Sequence, residues 1–167
     1  LSLIAGVSII EVLNKKINKK ITLKWPNDIY YQKRKIGGIL IESKKLNKNL
    51  NFYVVGIGLN INERKKDFHE KIANIGTSLK LISKLTLNRE MLLSNILLTF
   101  EKHILNMDEK YIVLNWMKHC GHKDEMINFH QNNKLITGQF SGLNSDGFAK
   151  IMIDNKLHFF NHGRIQS

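Results

Sequence analysis

Three stretches in a fixed order decide how this sequence is read: Lys24-Trp25-Pro26-Asn27-Asp28, then Arg34-Lys35-Ile36-Gly37-Gly38-Ile39-Leu40-Ile41-Glu42, then Val55-Gly56-Ile57-Gly58-Leu59-Asn60-Ile61-Asn62. Around the first, Ile21, Leu23 and Trp25 alternate with Thr22 and Lys24, the period of a half-buried strand. Pro26 has no N–H for a ladder and holds its predecessor extended, so the strand ends there and Asn27 and Asp28 fall in a turn or bulge. Residues 29–31 and 36–42 read as two strands joined by the basic loop Gln32-Lys33-Arg34-Lys35, a hairpin-like unit. Residues 52–62 are apolar enough for a central strand covered on both faces. Their glycines let another group come close to the backbone, a hint of a ligand.

Upstream, Leu3, Ile4, Val7, Ile10, Leu13 and Ile17 recur at helical spacing, which predicts an amphipathic helix up to about Asn18 with lysines near its C-terminal end. The chain opens on Leu1 without helix-start signals, and the expectation is that further sequence precedes it. Residues 47–51 read as a polar turn and residues 63–76 as a charged loop. Asn88 is a candidate N-cap for a long helix carrying Leu92, Ile96, Phe100 and Ile104, and a second helix is expected from about Asp108 to Met117. Beyond Gly121 the texture becomes short alternating stretches with turn signals at Asn132-Asn133, at residues 144–147 and at Asn155-Lys156. That predicts a small antiparallel β-unit with its boundary near Lys123.

The chain has 167 residues, 43% of them hydrophobic, enough for one good core. No apolar run approaches the ~20 residues needed to span a bilayer, so a cytoplasmic protein is expected. Cys120 is the sole cysteine and cannot form an internal disulfide. The formal charge of +12 raises nucleic acid as a partner, but its 22 Lys and 4 Arg are spread over nearly every segment rather than clustered, the pattern of a solvated lysine surface. His119, Cys120 and His122 lack a fourth ligand and read as a surface turn; no metal site is expected.

Taken in order and spacing, the three stretches resemble the central motifs of biotin protein ligases. The opening helix, the Thr77-Ser78-Leu79 segment, the long helix and the β-rich tail follow in the family's order, so the resemblance covers essentially the whole chain. It implies an α+β fold of the class II aminoacyl-tRNA synthetase-like type, a mixed sheet with helices over residues 1–122, followed by a small SH3-like β-barrel over residues 123–167. It implies activation of biotin with ATP to biotinyl-adenylate and transfer to a lysine of a biotin carboxyl carrier protein, with Mg2+ accompanying ATP and a homodimer among the allowed assemblies.

The residues suit that chemistry. Bringing a carboxylate onto the α-phosphorus of ATP joins two anions, and negative charge grows on the phosphoryl oxygens. Lys35, beside a glycine pair, offers an ammonium on a flexible stem, and the resemblance makes it the lysine that contacts both groups. Gly37 and Gly38 can lie against a flat ligand, and the resemblance makes them the wall of the biotin site; a β-bulge is the alternative reading of the pair. Many relatives have alanine at the position of Gly37, and glycine in its place here is expected merely to loosen the strand. The resemblance puts Asn27 near the phosphates and ribose, while Asp28 could orient Lys35, help hold a phosphate-bound magnesium through water, or cap its own turn. Trp25 reads as core. Asn60 ends an apolar strand, where a buried amide needs a partner, and the resemblance assigns it to the adenine edge. Ile61 stands where a dinucleotide fingerprint needs a third glycine, so a Rossmann reading fails. The loop at residues 63–76 corresponds to the family's segment that orders over the adenylate.

The family's Gly/Arg-rich loop and Thr/Ser-x-Gln stretch have no counterpart in this sequence. This stretch alone is therefore expected to bind biotin feebly, and a DNA-binding module is likewise outside it. Lipoate ligases and octanoyltransferases share the architecture, but the pattern around Trp25 and Lys35 argues against them. From other classes, a basic nucleic-acid-binding protein and the remnant of a decayed gene stand as alternatives.

Overall fold

The computed structural model describes residues 1–47, 50–132 and 134–166. Helix α1 (Ser2–Lys16) forms where the spacing predicts, but it is buried on nearly every side: Ile4, Ala5, Gly6, Val7, Ser8, Ile9 and Ile10 are all inside. It is a central core helix rather than a one-sided amphipathic one, and Ser8 is accommodated because its hydroxyl donates to the Ile4 carbonyl at 2.8 Å. Lys15 and Lys16 lie in its last turn, where cations suit the dipole.

Beside α1 lies a four-stranded sheet in the order β1 (Thr22–Lys24), β2 (Asp28–Tyr31), β3 (Arg34–Asn47), β4 (Leu50–Leu59). The named strands pair antiparallel, and parallel pairing enters at two isolated bridges, Leu23 with Cys120 and Lys35 with Gly76, which give the assembly its mixed character. The turn after β1 covers Trp25 to Asn27, and Asp28 already begins β2. The link from β2 to β3 is tighter than the expected four-residue loop. Only Gln32 and Lys33 turn, with φ of 47° and 64°, so Arg34 and Lys35 are strand residues.

The run at residues 52–62 is not a central, twice-covered strand. In the described sheet β4 lies at the edge, and Phe52, Tyr53 and Val54 are exposed. An apolar run reads alike whether or not a neighbour covers it, and only the assembled strand order decides. The expected turn at residues 47–51 lies partly outside the described residues, as does Asn133 in the turn before β6.

Short helices α2 (Glu70–Ala73) and α3 (Leu79–Ser83) precede α4 (Arg89–Leu105), which starts as expected with the Asn88 side chain accepting from the Met91 N–H at 2.7 Å. Helix α5 (Glu109–Lys118) is capped in the same way by Asp108 onto Tyr111 at 2.9 Å. The remaining strands, β5 (Met126–Gln131), β6 (Lys134–Leu143), β7 (Ala149–Ile153), β8 (Lys156–Phe160) and β9 (Arg164–Ile165), form an antiparallel sheet in the order β8-β7-β6-β5-β9. Its last hairpin turns at Asp154-Asn155, one residue earlier than Asn155-Lys156. One apolar cluster runs from α1 through both sheets. Trp25 is core as read: its ring lies 5.9 Å from Phe129, and its Nε1 donates to the Gly147 carbonyl at 3.1 Å.

Two consecutive positive-φ residues make a type I′ turn, which favours Asn-Gly because side-chain-bearing residues are strained there. Replacing Gln32-Lys33 by Asn-Gly is expected to raise unfolding stability by about 0.5–1 kcal/mol, read from urea titration.

Candidate functional site

The β2–β3 register holds the site together. Asp28 pairs with Gly38 and Ile29 with Gly37, but Tyr30 pairs with Lys35, so Ile36 is the extra residue of a β-bulge. In a regular strand residues 35 and 38 would face opposite sides. The bulge flips the parity, so Lys35 joins Gly38, Asp28 and Tyr30 on one face. By the same register Lys24, paired with Asp28, belongs to that face. Leu23, Ile29 and Gly37 face the other way, into the core.

On the outer face the Lys35 ammonium lies 2.5 Å from the Asp28 carboxylate, with the lysine side chain 44% and the aspartate side chain 25% exposed. The pair is reachable from solvent yet oriented. Gly38 leaves the space beside it open, because a Cβ there would come within 3.0 Å of Asp28 Oδ1 and 3.4 Å of Lys35 Nζ. Gly37 has a different task. A Cβ at that position would run into the Gly58 carbonyl and stop 2.7 Å from Leu59 Cδ2, so the glycine does more than loosen the strand: it lets β3 lie close to β4, where alanine would wedge them apart. Of the two glycines expected to line one wall, the structure therefore brings Gly38 to Lys35 and turns Gly37 inward.

Asn27 and Asn60 are both spent in part on the scaffold. The Asn27 amide donates to the Ile39 carbonyl at 2.5 Å, and the Ile39 N–H returns a bond to the Asn27 carbonyl at 2.8 Å. The Asn60 amide donates to the Thr77 carbonyl at 3.1 Å, while its backbone N–H takes the carbonyl of the bulged Ile36 at 2.8 Å. An adenine edge needs a donor and an acceptor, and one of the two amide N–H groups of Asn60 is committed to Thr77 here, which leaves the other and the amide oxygen. Asp28 settles on Lys35, one of its three open readings.

The charged loop at residues 63–76 contains a 3₁₀ turn (Lys65–Asp67) and α2. Its far end is stitched to Lys35: the Lys35 N–H donates to the Ile75 carbonyl at 2.7 Å, and the Thr77 N–H donates to the Lys35 carbonyl at 2.8 Å. Arg34, which the sequence did not single out, clamps the Gly76 carbonyl through Nε and Nη2 at 3.2 and 2.9 Å. The near end is fixed by the Ser78 hydroxyl on the Glu63 carbonyl at 2.6 Å and by Arg89 on the Glu63 carboxylate at 3.1 Å. No local signal marks these tethers, because their partners lie far along the chain.

His119, Cys120 and His122 are not a surface turn. His122 is buried edge-on against Phe140, ring centroids 4.3 Å apart, with Trp116 at 6.2 Å. Burial pushes the Cys120 thiol up to about 12 and pulls His122 down to about 4, so this pair, 3.6 Å apart, is a neutral packing junction between α5 and β6. Among the described residues no group of three or more His, Cys, Asp or Glu could hold a metal ion.

Residues 2–60, which contain the bulge, Lys35 and the glycines, match the Biotin/lipoate A/B protein ligase family. The chain is similar end to end to the bifunctional ligase/repressor BirA of Salmonella typhimurium, with 28% identity over 99% of this chain and 52% of that protein. It is 33% identical to the Bacillus spizizenii BirA over 61% of this chain and 31% of that protein. It thus spans about a third to a half of these curated relatives' length. Among solved structures, biotin protein ligase from Aquifex aeolicus superposes with a TM-score of 0.85 at 26% identity, covering 99% of this chain and 73% of that one. The same enzyme in complex with biotin and ATP gives 0.84 at 27% identity, over 99% and 69%. Residues 2–60 thus match the biotin/lipoate protein ligase family, and the fold and motif order are similar to those of biotin protein ligases. Within that likeness, the solved structures it superposes on are biotin protein ligases.

The two glycines are separable by experiment. Gly37→Ala is expected to lower unfolding stability by about 1–3 kcal/mol, as overpacking against backbone does, whereas Gly38→Ala leaves the denaturation midpoint nearly unchanged and impairs the Lys35 site. Equal midpoints for both variants would contradict the assignment of faces. His122 supplies a pH test. Its folded pKa, about 4, lies below the ordinary histidine value, so its contribution to stability is complete above about 6.5 and declines as pH falls toward 4. In His122→Phe that decline should flatten in pH-dependent thermal unfolding.

Proposed function

We propose that this domain serves ATP-dependent activation of biotin to biotinyl-adenylate, followed by transfer to a lysine of a biotin carboxyl carrier protein. The observation that carries the reading is the Lys35–Asp28 pair set over the bare backbone of Gly38. A biotin carboxylate oxygen forms its bond to the α-phosphorus as the bond from that phosphorus to the β-phosphate oxygen breaks. The Lys35 ammonium neutralises the carboxylate during approach and then the charge on the phosphoryl oxygens, with Asp28 holding its stem in place. In the second step the carrier amine attacks the acyl carbon and AMP leaves with its bond electrons. The tethered segment at residues 63–76 is suited to lie over the nucleotide and keep water from the mixed anhydride. Asn27 and Asn60 border the same region and are proposed to meet ribose and adenine through the polar atoms left beyond their scaffold bonds.

Asp28 is the carboxylate beside Lys35, which already occupies it, so the residues fit a Mg2+ carried on ATP's own phosphates rather than one held in a protein cage. The closing of β9 onto β5 supports reading residues 123–167 as an SH3-like barrel beside a class II synthetase-like domain at residues 1–122. No helix among the described residues is long and apolar enough to cross a membrane, and a cytoplasmic enzyme, with a homodimer as one assembly, is the corresponding proposal.

In the full-length polypeptide that carries this sequence, Lys35→Met is expected to lower biotin-dependent ATP–pyrophosphate exchange by roughly a hundredfold or more, the loss of about 3 kcal/mol of electrostatic stabilisation. Lipoate should support little exchange. Exchange unimpaired by the substitution, or faster with lipoate than with biotin, refutes the reading.

A further inference from the structure

Lys24 shares the outer face of the sheet with the catalytic pair. The register aligns Lys24 with Asp28 and Asp28 with Gly38, so the three side-chain positions form a row across β1, β2 and β3. The Lys24 ammonium lies 5.0 Å from the centroid of the Tyr30 ring, a π-face that favours its charged form and steers it along the sheet. Its surroundings otherwise resist that charge. Burial lowers its pKa most, the Asp28 carboxylate pushes it back up, and Arg164 on β9 and then Lys35 lower it further. Arg164 is brought here by the C-terminal sheet: Phe129 packs on Trp25, the neighbour of Lys24, and pairs with Ile165, the neighbour of Arg164. Lys24 and Lys35 thus flank the Asp28 carboxylate from the strands on either side, and Arg164 is near enough to Lys24 for its charge to be felt there, a partly desolvated arrangement that a polyanion would stabilise.

We infer that Lys24, with Arg164 beside it, grips the β- and γ-phosphates of the nucleotide and stabilises the departing pyrophosphate, while Lys35 serves the α-phosphate. The division of labour follows from spacing. Strand β1 lies two strands, roughly 10 Å, from β3, so ammonium groups reaching inward from the two sides meet neighbouring phosphates rather than the same one. When the bond between the α-phosphorus and the bridging oxygen breaks, its electron pair stays on pyrophosphate, and Lys24 balances that charge without a proton changing hands. The inference rests on the proposed function for the identity of the α-phosphate site, but its core, a pyrophosphate grip at Lys24, is measurable by itself.

The test titrates inorganic pyrophosphate and, separately, AMP into the full-length polypeptide and its Lys24→Gln, Lys24→Arg and Arg164→Gln variants. Lys24→Gln is expected to weaken pyrophosphate about tenfold or more, as loss of one charged hydrogen bond does, and to raise KM for ATP in parallel. AMP binding should be unchanged, Lys24→Arg should retain most pyrophosphate affinity, and Arg164→Gln should show a smaller loss in the same direction. Failure of the unsubstituted protein to bind pyrophosphate overturns the inference. So does equal pyrophosphate affinity in Lys24→Gln, or an equal loss for AMP and pyrophosphate, which would mark a purely structural role. Adenylate synthesis unaffected by Lys35→Met would instead remove the functional reading and leave the pyrophosphate result standing.

Discussion

The structure turns on one irregularity, the bulge at Ile36. Next to it, Gly37 passes so close to the Gly58 carbonyl that no side chain fits, which fixes the core-facing register of β3 against β4. With that register set, a single extra residue before it reverses the side on which Lys35 emerges. Lys35 is thereby carried out of the core and onto the face where Asp28 can take its ammonium. The bulge leaves backbone groups that the ladder does not use, and the Asn60 N–H and the strand-like segment around Gly76 take them up.

That accounting links parts of the chain that sequence separation keeps apart. The same few hydrogen bonds that complete the bulge also tie the loop at residues 63–76 to Lys35 and the end of β4 to Thr77. The segment expected to cover the nucleotide and the lysine expected to touch it are thus joined through backbone, so a shift in one is felt directly by the other. On the far side, Trp25 passes support from the C-terminal sheet to the turn that presents Asn27 and Asp28. The second sheet therefore bears on the site even where it contributes no group to the chemistry.

Much of the architecture was legible because its signals are local. The cap Asn88, the helix start at Asp108, the alternation through Ile21, Leu23 and Trp25, and the turn residues of the C-terminal sheet each act within a few positions. The misreadings share a cause. The covered strand that proved to lie at the edge of the described sheet, the helix α1 that proved buried on nearly every side, and the supposed surface turn at His122 all concern what packs against a segment. Hydrophobic pattern reports how apolar a segment is, not which neighbour arrives to cover it.

The site divides along the same line. The sequence by itself determined which groups are available, a lysine and a carboxylate near a glycine pair and two asparagines at strand ends, because side-chain chemistry is written residue by residue. Only the tertiary structure decided which of them meet. It sent Gly38 outward and Gly37 inward, spent one amide N–H of each asparagine on the scaffold, and set Lys24 opposite Asp28 on the face that carries Lys35. Facing in a strand has a period of two, so one bulged residue reverses it, and no count along the chain reveals the bulge until the partner strand is in place.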